Sequence, residues 1–72
     1  MWNDEKNKLT TREKEVLAYV CNGLTNIEIG TLLNISQYTA KAYVSSIIKK
    51  LDARNRTEAV YIAVKHRKIE WI

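Results

Sequence analysis

Proline is absent from this 72-residue chain, and glycine appears only twice, at Gly23 and Gly30. No flexible linker therefore divides it, and the length fits one domain. There is one cysteine, so no internal disulfide and no two-cysteine metal site can form. One histidine added to that cysteine cannot build a zinc finger. Cys21 sits in an apolar helical stretch and reads as a small buried thiol rather than a redox sensor. No apolar run approaches the roughly 20 residues of a membrane span. The opening MWNDEKNK lacks a signal-peptide core, and a cytoplasmic location is the default expectation. No paired carboxylates, no nucleophile with a base and no glycine-rich phosphate loop stand out, so an enzyme is poorly supported and no cofactor is expected.

Positive charge is what the chain does have. Twelve Lys and Arg face eight Asp and Glu, for a formal charge of +4. From Lys41 to Lys68 there are eight Lys or Arg against only Asp52 and Glu58. That half is the side suited to a polyanion. A domain this short buries only about 60% of its unfolded surface, so its core is marginal and a partner would help it.

Four helices are expected. Thr10 with Glu13, Thr25 with Glu28 and Asn55 with Glu58 are capping boxes, each a short polar cap with Glu three residues later. The first opens a helix to about Cys21, stopped by Gly23. The second opens a short helix to about Leu33, and the third a helix to about His66. Ser36 caps a further helix, without a Glu partner, that runs to about Leu51. Apolar spacings agree: Val16, Leu17, Val20 and Cys21; then Ile29, Leu32 and Leu33; then Ala40, Tyr43, Val44, Ile47 and Leu51; then Ala59 to Val64. No stretch alternates as a half-buried strand would.

The second and third helices are joined by Leu33, Asn34, Ile35 and Ser36 alone, the spacing of a helix-turn-helix. Gly30, inside the second helix, costs about 1 kcal/mol against Ala. It makes sense if the third helix crosses closely there, with Ile35 plugging the gap. At about 100° per residue, Tyr38, Ala42, Ser45 and Lys49 point away from the apolar stripe of the third helix, flanked by Lys41 and Ser46. That face has no acid. Small residues let a helix approach base edges, and lysines meet guanine acceptors or phosphates.

These residues bring a family resemblance into view. Leu9-Thr10-Thr11-Arg12-Glu13-Lys14-Glu15-Val16-Leu17 looks like Leu-Thr-x-Arg-Glu-x-Glu-Val-Leu. Gly23 to Gly30 resembles Gly-x-Ser/Thr-Asn-x-Glu-Ile-Ala, and Leu33, Ile35, Ser36, Thr39, Lys41, Lys50, Leu51, the run Asn55 to Ala59, and Ala63 continue in register. The pattern is similar to the LuxR-type, or GerE-like, helix-turn-helix domain from about Lys8 to Ile69. The fold class it implies is all-α, a compact four-helix domain over 9–69 behind a frayed segment 1–8.

The resemblance further implies a homodimeric transcriptional regulator on double-stranded DNA, with the third helix in the major groove. By position, Lys41, Ala42 and Ser45 would read bases. Tyr38, Thr39 and Lys49, with Ser46 beside them, would meet the DNA backbone, as would Thr25 and Asn26 at the N-terminus of the second helix. The fourth helix would form the dimer interface through Tyr61, Ile62 and Lys65. Its five adjacent apolar residues, Val60 to Val64, exceed what one core covers. A second reading is a protein-interaction module binding RNA polymerase or another regulator.

The family commonly has Val at the place of Ala40, His at Tyr43, Gly at Asp52, and in some members Lys or Arg at Ser45, so a base preference does not transfer. Arg56 reads as a structural ion pair with Glu13 or Glu28, and Tyr19, Tyr61 and Trp71 as packing residues. His66 would place favourable charge at a helix end.

Overall fold

The computed structural model describes residues 8–66. Trp2, Trp71 and most of the expected frayed segment lie outside them. Four helices follow in order: α1 (Thr11–Cys21), α2 (Asn26–Leu33), α3 (Gln37–Lys50) and α4 (Arg56–Lys65). Among the described residues there is no strand.

Two of the expected capping boxes are complete. Thr10 accepts from the Glu13 amide at 3.1 Å while its own amide donates to Glu13 Oε1 at 2.8 Å. Thr25 and Glu28 repeat the exchange at 3.2 and 2.8 Å. The third is only half formed. Asn55 Oδ1 accepts from the Glu58 amide at 2.8 Å, but the Glu58 carboxylate takes the Arg54 amide and Arg54 Nε instead. Asn55 is fully extended (φ −162°, ψ 178°), and the preceding residue then lies within the carboxylate's reach.

Three helices end alike. Gly23, Asn34 and Asp52 adopt left-handed φ of 85°, 57° and 57°. The next residue then returns its N–H to a carbonyl five positions back: Leu24 to Tyr19, Ile35 to Gly30 and Ala53 to Ile48, at 2.9–3.1 Å. Each terminus thereby satisfies carbonyls that the helix leaves over. Only Gly23 was legible as such a stop.

The core draws on every helix: Val16, Leu17, Ile29, Ala40, Ile47, Ala59 and Ala63 are all at most 1% exposed. Tyr43 and Ile35 pack against it half-buried. The expected stripe of α2 needs correction, because Leu32 is 59% exposed. Eight residues give α2 one inward side, and Ile29, Gly30 and Leu33 fill it. Tyr61 is likewise outward, not a packing residue, whereas Tyr19 does pack on the core. Burial pushes the half-buried Cys21 thiol above its ordinary pKa, as suits an unreactive packing residue.

Gly30 fixes the angle of α2 to α3. A Cβ there would stand 2.8 Å from the Ile35 carbonyl oxygen and 3.3 Å from the Gln37 nitrogen. What crosses it is the backbone of the turn entering α3. A bulky side chain would lever the turn, and α3 with it, off α2.

Candidate nucleic-acid interface

The carrier of the site is α3. Ala40, Val44 and Ile47 anchor it inward. Ser36 caps it by accepting from the Thr39 amide at 3.0 Å, and donates to the Thr39 hydroxyl at 3.0 Å. Opposite that buried side lie Tyr38, Thr39, Lys41, Ala42, Ser45 and Lys49, all exposed, with Tyr38 at 76%. The sequence of α3 contains no acid, and neither Lys41 nor Lys49 has an ion pair among the described residues. The surface is thus cationic, hydroxyl-bearing and shallow in its middle, where Ala42 and Ser45 stand.

Ser46 departs from its expected place. It is half-buried, and its hydroxyl donates to Glu13 Oε2 on α1 at 2.7 Å. One residue beyond exposed Ser45 and one before buried Ile47, it sits where the helix turns inward. Lys50 Nζ meets the other oxygen, Glu13 Oε1, at 2.7 Å. Glu13 is only 4% exposed. Its burial alone would raise the carboxyl pKa. The hydrogen bonds from Lys50, the Thr10 amide and Ser46 outweigh that and lower it from 4.5 to about 2. Sequence reasoning missed this node, which braces the first turn of α1 against the last turns of α3. Its only sequence signal was the i, i+4 spacing of Ser46 and Lys50.

At the entrance of α2, Thr25 is exposed and Asn26 half-buried. Arg56 plays the structural role expected of it, but with other partners. Its Nη1 donates to Asn26 Oδ1 at 2.7 Å and its Nη2 to the Leu24 carbonyl. Neither expected acid was open to it, since Ser46 and Lys50 hold Glu13 and the α2 cap holds Glu28.

Of the residues expected at a dimer contact, Tyr61 is 61% exposed, and Lys65 Nζ lies 5.7 Å from its ring centroid. Ile62 is half-buried against the core, while Val64, 44% exposed, joins the outer face in its place. His66 caps the C-terminus of α4.

A short helix, a three-residue turn and a longer helix with an outward, acid-free face define a helix-turn-helix domain. Residues 7–63 match the model of the bacterial regulatory proteins of the luxR family, and the chain belongs to that family. It is 46% identical to an uncharacterized transcriptional regulatory protein, YhcZ, of Bacillus subtilis, over 86% of this chain and 30% of that protein. Identity to YvfU of the same organism, also an uncharacterized transcriptional regulatory protein, is 49% over 88% of this chain and 31% of that protein. For the transcriptional activator protein BjaR1 of Bradyrhizobium diazoefficiens it is 42% over 83% and 25%. The chain thus spans less than a third of the length of these relatives. Among the described residues, no helix is long and apolar enough to cross a membrane.

Proposed function

We propose that this domain is the sequence-specific DNA-binding part of a transcriptional regulator, and that α3 enters the major groove. The observation that carries the reading is the outer face of α3, where two lysines without ion pairs flank Ala42 and Ser45 and no acid intervenes. Lys41, Ala42 and Ser45 reach base edges; Tyr38, Thr39 and Lys49 meet phosphates, as do Thr25 and Asn26 at the entrance of α2. Ser46 leaves the set, because its proton belongs to Glu13. Two copies bind a two-fold site through the outer face of α4. The work is recognition, not catalysis, and needs no cofactor.

Replacing Lys41 or Lys49 by Ala should weaken binding to a selected duplex about tenfold without changing the helical circular dichroism. Each phosphate contact should add about −0.9 to the slope of log affinity against log salt. Affinity unchanged by both substitutions would remove α3 from the interface.

Exposed Ile27 and Leu32, 63% and 59%, favour a second reading, a module that binds RNA polymerase or another regulator. It predicts weak, sequence-blind DNA binding, and sequences selected from random DNA decide between the two.

A further inference from the structure

Arg56 begins α4, yet both of its recorded hydrogen bonds go to the segment that enters α2. A guanidinium offers donors and no acceptor. The atom of the Asn26 amide that lies 2.7 Å from Nη1 must therefore be the oxygen. The amide cannot flip without losing this bond, so its orientation is fixed with the oxygen toward α4. Its two N–H groups are left over. No acceptor among the described residues takes them, and they are not sealed from solvent, because no buried side-chain nitrogen lacks a partner.

Two backbone donors at this entrance are used within the cap. The Thr25 amide donates to Glu28, and the Glu28 amide donates to Thr25 Oγ1. The Glu28 carboxylate also sets a negative charge at the cap, which opposes an approaching phosphate. Arg56 lines the same open depression of about 390 Å³ as Thr25 and Asn26 and brings a positive charge to it.

We infer that Arg56 is a positioning residue: it holds the Asn26 amide oxygen-inward and so presents the amide N–H groups to a nucleic-acid phosphate. The inference rests on the DNA-binding reading above. Arg56 itself makes no DNA contact in it, since its guanidinium is turned to Leu24 and Asn26.

A double-mutant cycle on the full chain tests this, read by titrating a labelled mixed-sequence duplex at fixed low salt alongside thermal melts. Arg56→Lys and Asn26→Ala should each weaken binding about fivefold to tenfold. The double variant should bind no worse than the weaker single, because one residue acts through the other. Asn26→Asp keeps an acceptor for Arg56 but loses the donors. It should melt at or above the wild-type temperature and bind at least about tenfold more weakly. Losses that multiply in the double variant overturn the inference, as does an Asn26→Asp protein that binds like wild type. Lys49→Ala separates the two levels. If it weakens binding and Asn26→Ala does not, only the role of Arg56 fails; if neither does, the DNA-binding reading fails with it.

Discussion

Glu13 serves two structures with one carboxylate. It closes the capping box of α1 and receives Ser46 and Lys50 from α3. Its pKa is held near 2 in the fold against 4.5 for a free carboxyl. Such a group stabilises the fold fully above the unfolded value, and the contribution disappears as pH falls from about 4.5 toward 2. The drop corresponds to roughly 3 kcal/mol. Urea denaturation followed between pH 6 and pH 2 should show that loss, and Glu13→Gln should flatten most of it while lowering stability at neutral pH. Glu58, held low mainly by the Arg54 amide, titrates in the same direction, but its partner Arg54 is open to solvent and it leaves a smaller residual slope. A Glu13→Gln protein with the wild-type acid profile would show that the node contributes nothing.

The local half of this residue was legible, because a capping box is a pattern of four consecutive residues. The long-range half was not. Ser46 and Lys50 lie 33 and 37 positions away, and a helical wheel placed Ser46 at the margin between exposed and buried. Arg56 failed to meet an acid for a related reason. Charge counting proposes partners, but competition for each carboxylate decides who gets them.

At the scale of the element, starts were readable and ends much less so. Thr10, Thr25, Ser36 and Asn55 all cap as their residue types suggest. Of the three left-handed terminators, glycine occupies only one. Asp52 does the same work at the end of α3, at φ 57°, with its charge beside the negative end of the helix dipole. Both features cost stability, the backbone conformation about 1 kcal/mol. Asp52→Gly should therefore stabilise the domain by about 1 kcal/mol, or roughly 4–8 °C in Tm. Asp52→Asn keeps the backbone cost and removes the charge, so an intermediate Tm is expected. A Tm that falls in Asp52→Gly would mean that the glycine's freedom in the unfolded chain outweighs the relief. The face of α3 was legible in full except for Ser46, since six of seven predicted positions stand outward. On α2 periodicity misled, because a two-turn helix has too few neighbours to bury every apolar side chain it carries.

Across the described residues, three glutamates and two lysines divide the work. Glu13, Glu28 and Glu58 lie at helix starts, where they meet backbone amides. Lys41 and Lys49 project from α3 unopposed. On the outward face of α3 those two lysines leave a local excess of positive charge. That face is small for one copy, and two copies in fixed register would double it. In the proposed dimer the outer side of α4 would supply the contact, with Val64 and Lys65 each about one helical turn from Tyr61. On a two-fold axis a residue near the centre meets its own copy, so one substitution acts twice. Val64→Glu would place like charges against each other there. On a duplex carrying two half-sites, its binding should lose cooperativity and weaken at least about tenfold, while affinity for a single half-site stays within about twofold of wild type. Titrations of one-site and two-site duplexes, with sedimentation of the bound species, measure both. Wild-type cooperativity in Val64→Glu would move the dimer contact off α4, while an equal loss on both duplexes would point to damage within the single domain.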